Sequence, residues 1–184
     1  EFNKLREEIL AMKNTHSNLH PDLLRVRNKI SEALGLSSEE LPFAGELMEV
    51  KESEAHWQGA VERVLRQFST SMLVKDRNYG DLARYVDQTH LGTKLVYHRV
   101  DSRRLPIKNL SSNCLPNKLN IKPGSWSRWM EDELSQRFDY ECVDSTAQFA
   151  GSKKAVTPAG QIKHNETRHE KNDRKSVDDR REWV

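Results

Sequence analysis

Apolar residues at Phe2, Leu5, Ile9 and Met12 fall at spacings of three, four and three, with Lys4, Arg6, Glu7, Glu8 and Lys13 between them. A narrow apolar seam on a charged helix is the pattern of one coiled-coil strand. It predicts an incoming arm over residues 1–19, too short to hold a helix pair alone and therefore expecting a partner helix. Pro21 disfavours helix at His20 and suits the first turn of a new one. Leu23, Val26, Ile30 and Leu34 then form a stripe, and Gly35 offers a left-handed stop. This predicts a docking helix and connector over residues 20–40.

From residue 41 onward the same pattern of elements occurs twice. A short apolar strand, Leu47–Val50, precedes a helix whose apolar face is Trp57, Val61, Val64, Leu65 and Phe68, and a second strand, Ser71–Val74, follows. Later in the chain Leu119–Ile121 precedes a helix from Trp126 to Phe138, followed by an apolar strand from Tyr140 that closes on Asp144. Self-similarity of this kind predicts one supersecondary unit used twice, with Trp126 and Leu134 equivalent to Trp57 and Leu65 and both tryptophans buried. Between the copies, Tyr79, Leu82, Ala83 and Val86 predict another helix. Lys94–Val100 alternates as a strand, with Leu95 and Tyr97 on one face and Val96, His98 and Val100 on the other.

Ala155–Thr157, a turn at Pro158–Gly160 and Gln161–Lys163 predict a closing hairpin. The division expected is a first half at 41–100, a linker at 101–118, a second half at 119–163 and a return connector at 164–184. The connector, with Val177 almost its only apolar residue before Trp183, reads as irregular. The fold class is α/β (α+β), built from two related halves.

Charge sharpens this picture. The net charge is only +2, yet residues 31–54 carry seven Glu against Lys51, and residues 91–129 carry eight Lys or Arg against Asp101. A segment so basic calls for an anionic partner. Lys94, Arg99, Arg103, Arg104 and Lys108 are its densest part and the candidate residues for weak, sequence-blind DNA contact. Solvated charge at a strand end explains the same residues without DNA. The tryptophans lie at core spacing rather than as a platform for stacked bases.

Other chemistry finds little footing. The eight glycines form no phosphate-binding loop. Cys114 and Cys142 make no metal or disulfide motif and read as reduced thiols. His164, Glu166, His169, Glu170 and Asp173 have metal-ligand side chains at spacings that match neither a zinc-protease nor a calcium-loop pattern, so a metal-dependent hydrolase is the weakest alternative. His90, His98 and Asp101 could be drawn as an acid–base set, against a plain reading as surface and turn residues. No apolar run reaches the length of a membrane span, and no membrane partner, catalytic residue, cofactor or metal is expected in this segment.

The order of motifs resembles the hinge domains of structural maintenance of chromosomes (SMC) proteins: Gly45–Val50, Ala60–Leu65, Met72–Asp76, Leu91–Tyr97 and, in the second half, Val156–Gly160. Leu41–Leu47, Thr89–Gly92, Arg137–Tyr140, Thr157–Lys163 and Arg168–Arg174 resemble more closely the MukB-like condensin subunits called MksB or JetC, the latter from Wadjet anti-plasmid defence. The glycine-rich interface motif of ordinary SMC hinges is not evident, so their interface does not transfer in detail.

The resemblance implies a homodimerising hinge, ATP and Mg bound at distant ATPase heads, and an outgoing arm beyond Val184. It implies kleisin-type and accessory subunits, a nuclease subunit in the defence systems, and a bacterial cytoplasmic setting on nucleoid or plasmid. For the dimer interface the expectation is Leu95, Tyr97 and Val100 against Val156, Gly160 and Ile162 of the other copy. A stand-alone DNA-binding module is the alternative from another class.

Overall fold

A computed structural model describes residues 19–103, 106 and 108–184. Apart from Leu19 the expected coiled-coil arm lies outside the described residues, as does Arg104. Helix α1, Pro21–Leu34, starts where His20 Nδ1 accepts the Asp22 N–H at 3.1 Å and stops at Gly35, whose φ is 67°. Its buried stripe, Leu23, Val26 and Ile30, packs with Leu41, Phe43, Met72, Val74 and Leu82 in one apolar cluster.

The two halves share an order of elements. In the first, a 3₁₀ turn at Ala44–Leu47 leads into β1 (Met48–Val50), α2 (Gln58–Ser69), β2 (Met72–Lys75), α3 (Asp76–Gln88) and β3 (Tyr97–Val100). In the second, a 3₁₀ turn at Leu115–Lys118 leads into β4 (Leu119–Ile121), α4 (Ser127–Arg137), β5 (Glu141–Cys142), α5 (Thr146–Gly151) and β6 (Ala155–Val156). Strand β2 runs parallel to β3, and β5 parallel to β6.

The likeness extends to individual hydrogen bonds. The Ala44 N–H donates to the Ser71 carbonyl at 2.9 Å and the Leu115 N–H to the Tyr140 carbonyl at 2.8 Å. Likewise the Leu73 N–H reaches the Pro42 carbonyl and the Cys142 N–H the Asn113 carbonyl, at 2.8 and 2.9 Å.

What joins the halves is an antiparallel ladder between β1 and β4, Met48 opposite Ile121, Glu49 opposite Asn120 and Val50 opposite Leu119. Its ends are closed by matching bonds of 2.8 Å, Lys51 N–H to the Lys118 carbonyl and Lys122 N–H to the Leu47 carbonyl. A local two-fold axis therefore passes through the Glu49–Asn120 pair. On either side of it Trp57, 3 % exposed, and Trp126, 9 % exposed, enter a single apolar cluster with Leu65 and Leu134. The halves share one core, which suits a chain whose separate halves would each be too small to bury much apolar surface.

Three features depart from the sequence reading. The strand expected from Lys94 starts only at Tyr97, because Leu91–Thr93 form a bend around Gly92, whose φ is 74°. The return connector is not wholly irregular: the hairpin of β6 and β7 (Ile162–Lys163) continues antiparallel into β8 (His169–Glu170). Helix α5 was not anticipated; its six residues are too few to show a helical period, and Ser145 caps them by accepting the Gln148 N–H at 3.2 Å. Cys114 and Cys142, distant in sequence, lie on bridged segments, both buried and free.

Beyond β8 the chain crosses back over α2 as a strap. Arg63 Nη2 donates to the Lys175 carbonyl at 2.8 Å, and the Val184 N–H donates to Glu62 Oε2 at 3.0 Å. Burial pushes the Glu62 carboxyl up from 4.5 to about 7, outweighing the hydrogen bonds from Val184 and Gln58 that favour its charged form. A carboxyl raised on folding holds its proton more tightly in the native state, so its contribution to stability is lost as pH rises from about 4.5 to about 7. The upper limit of that loss is about 3 kcal/mol. Thermal melts at about pH 5 and about pH 8 are expected to show Glu62→Gln raising the midpoint at the higher pH and flattening the slope between them. An unchanged slope would show that the carboxylate is solvated.

Candidate nucleic-acid and partner interface

Among the described residues β3 pairs only with β2, so its outer edge is open beside Val96, an apolar side chain 42 % exposed. An unpaired edge next to an exposed apolar residue is a template for another strand. Leu95 and Tyr97 are half-buried against the α1 cluster, the Tyr97 ring 6.4 Å from that of Tyr79.

The other expected interface residues lie elsewhere. Val100, Val156 and Ile162 are 4 %, 0 % and 2 % exposed and belong to the shared core, so their side chains have no surface left for a partner. Gly160, at φ 86°, is backed by the Arg63 guanidinium, 2.7 Å from where a Cβ would stand. The outer edge of the β6–β7 hairpin is occupied by β8, with Ile162 opposite Glu170 and Lys163 opposite His169. The edge that the second half presents is therefore that of β8. Alternating apolar residues read alike whether their partner is the chain's own core or another copy, and here the core took them.

The basic stretch is less bare than its local sequence implies. Arg99 pairs with Asp76 and lies over the Tyr79 ring at 4.5 Å. Lys108 Nζ is 2.9 Å from Asp139 Oδ2, and Arg103 Nη2 is 3.1 Å from Asp101 Oδ2. Asp76 and Asp139 come from outside the basic segment, and folding sets them beside it. Lys94 is exposed.

A further group of cations lines a cleft of about 370 Å³, where the ends of β2 and β3 meet the start of α4, with Asp76 and Asp101 also in its lining. Arg103 reaches it, joined by Lys75, Arg77 and Arg128, which the sequence reading did not single out. Lys75 Nζ donates to the Ser125 carbonyl at 2.7 Å and lies 4.0 Å from the Trp126 ring centroid. Burial and the neighbouring Arg77 push its pKa down, as expected of an ammonium group crowded by like charge. Helices α3 and α4 both begin at this cleft, adding the positive ends of their dipoles. The sequence cue was Lys75-Asp76-Arg77 directly after an apolar strand, outside the basic window.

The remaining candidates are placed by packing. His98 packs beside the mutually stacked rings of Phe68 and Trp129, at 5.9 and 5.7 Å, and burial lowers its pKa; these neighbours make it a packed ring rather than part of a set with His90 and Asp101. His164 Nδ1 shares a 2.7 Å hydrogen bond with the Tyr140 hydroxyl, and Asp173 faces Lys171 and Arg63. Among the described residues no group of three His, Cys, Asp or Glu side chains is arranged to hold a metal ion. No helix among them is long and apolar enough to cross a membrane.

This fold is that of SMC hinge domains. The chain is similar to the Geobacillus stearothermophilus SMC hinge domain, solved as an asymmetric dimer: TM-score 0.62 and 14 % identity over 96 % of this chain and 76 % of that one. It is similar to the Pyrococcus furiosus SMC hinge domain, with a TM-score of 0.56 and 17 % identity over 82 % of this chain and 87 % of that one. In a structure described as the folded elbow of cohesin, 97 % of this chain matches 27 % of the other at a TM-score of 0.65 and 15 % identity. No family model and no curated protein matches the sequence.

Proposed function

We propose that this chain is the dimerisation hinge of an SMC-type ATPase complex of the MukB-like kind, MksB or JetC. It is a non-catalytic segment, with ATP and Mg handled by heads elsewhere in the protein. Its role is to join two long subunits so that head motion acts on DNA, by translocation or loop extrusion, in plasmid restriction or chromosome condensation. Kleisin-type and accessory subunits, and a nuclease in a defence system, complete the assembly in the bacterial cytoplasm, on nucleoid or plasmid.

The observation that carries this reading is the SMC-hinge fold over 96 % of the chain. The placement of the segments flanking the core supports it, since Leu19 and Val184 pack into one apolar cluster, bringing the incoming and returning chain together.

A symmetric dimer then follows from the edges. Strand β3 of one copy pairs with β8 of the other, and the two-fold repeats the junction so that both edges are closed. Light scattering at micromolar concentration is expected to give twice the chain mass of 21.4 kDa, and Val96→Asp to shift the species toward monomer. A monomer throughout the micromolar range would reject the hinge reading and favour a stand-alone DNA-binding module.

DNA contact is expected at the cleft of Lys75, Arg77, Arg103 and Arg128, with Lys94, Arg99, Arg104 and Lys108 as the further candidates from the basic segment. Counterion release makes such binding sequence-blind and steeply dependent on salt. In gel-shift titrations Arg77→Glu with Arg103→Glu is expected to weaken every duplex alike and leave the dimer mass unchanged. Retention unaffected by the double reversal would remove the cleft from the DNA path.

A further inference from the structure

The two-fold relation between the halves exposes a difference in what covers them. Four residues of the first half carry the strap. Val184 packs where a Gly45 Cβ would stand and Val177 where a Gly59 Cβ would, Glu62 accepts the Val184 N–H, and Arg63 donates to the Lys175 carbonyl. Pairing the 3₁₀ turns and strands of the halves makes Pro116 the counterpart of Gly45. Aligning Trp57 with Trp126 makes Arg128, Glu131 and Asp132 the counterparts of Gly59, Glu62 and Arg63. All four counterparts line one cleft of about 410 Å³, floored by Leu119, Ile121 and Leu134.

We infer that this cleft of the second half is a docking groove for a peptide segment of a partner protein, with a lysine or arginine directed at Asp132 and apolar residues beside it. The twin groove holds a strap that turns at Val177–Asp178 and forms a 3₁₀ turn at Arg180–Glu182, bonded through the Lys175 carbonyl and the Val184 N–H, groups that a chain of any sequence carries. The side chains lining this groove set the chemistry of its occupant: Glu131 and Asp132 lie on α4, and of the cations in the lining, Lys51, Lys108 and Arg128, Lys108 is paired with Asp139. Where the first half has a donor, Arg63, the second has an acceptor: Asp132 is 8 % exposed, and its Oδ2 has no hydrogen-bond partner. A buried carboxylate oxygen left unpaired is costly. Arg128, 3.4 Å from the other carboxylate oxygen, compensates it only from one side. Leu119 and Leu134, 7 % and 1 % exposed, close the base of the cleft, and the half-buried Leu110 and Ile121 are its apolar contacts. The occupant is not this chain's own strap, which is already engaged on α2 and carries Asp173 where a cation is required. The inference does not depend on the hinge reading.

The probe is a fluorescent, amide-capped peptide of residues 173–184 with Asp173→Lys, titrated onto the whole chain and followed by anisotropy. Saturable binding is expected, lost by at least about tenfold with Asp132→Asn and with Glu131→Lys. Glu131 is exposed, so its variant keeps the test valid should Asp132→Asn fail to fold. Hydrogen exchange should show the peptide protecting residues 119–121 and 128–135. The proposal is overturned by absence of saturable binding at millimolar peptide, or by binding indifferent to both variants. Protection appearing on α2 instead would also overturn it, since the peptide would then be displacing the strap. So would a rise in mass abolished by Glu131→Lys, which would make the groove a contact between copies.

Discussion

Trp57→Ala is expected to cost about 3–5 kcal/mol, much of the stability of a domain of this size, and Trp126→Ala somewhat less. Trp57 is 3 % exposed in the shared core, and the ammonium group of Lys118, itself 5 % exposed, lies 5.5 Å from its ring centroid while pairing with Glu54 at 3.0 Å. Truncation opens a cavity and removes one wall of the site that holds this buried cation. Trp126 stands nearer the rim, 9 % exposed beneath Lys75, so part of its space can fill with water or by collapse. Urea titration of each variant and of the double variant checks this. Because both rings enter one cluster, the double variant should depart from the sum of the two. A loss under about 1 kcal/mol for either would contradict a core shared between the halves.

Gly59→Ala is expected to release the strap. A Cβ there would stand 2.1 Å from the Val177 carbonyl oxygen and 2.9 Å from its carbon, and backbone atoms cannot rotate aside as a side-chain tip can. The strap must lift, with a cost on the order of 1–3 kcal/mol, even though alanine favours the helix itself. Gly80, within α3 and with nothing inside 4 Å of its Cβ position, is the control, where alanine is expected to stabilise by about 0.5–1 kcal/mol. Limited trypsin digestion separates the two, since Arg174 and Lys175 should be cut faster in Gly59→Ala alone. Equal digestion of both variants would show that the strap is not held at Gly59. Glu62→Gln acts on the same strap through charge rather than volume, so the two substitutions probe its docking independently.

The duplication was legible because it rests on local periodicity. A helix led by Trp57 or Trp126 must bury one face, and apolar residues at helical spacing, with Leu65 and Leu134 at the same register, record that face whatever it packs against. The limits of α1 were equally legible, since Pro21 and Gly35 act through their own backbone restrictions. The hairpin of β6 and β7 followed from the turn at Pro158–Gly160 for the same reason.

What the sequence by itself determined, then, is which faces are apolar, where helices start and stop, and that one unit is used twice. Only the tertiary structure decided what each face meets. Val100, Val156 and Ile162 looked available to a second copy until the shared core claimed them. Asp76 and Asp139 reached Arg99 and Lys108 across the chain, while Lys75, Arg77 and Arg128 converged from two halves on one cleft. Side-chain period reports a residue's orientation within its own element, whereas pairing across a chain depends on how elements far apart in sequence are brought together. The antiparallel ladder of β1 and β4 sets that relation here, and three residue pairs of ladder leave no period to read.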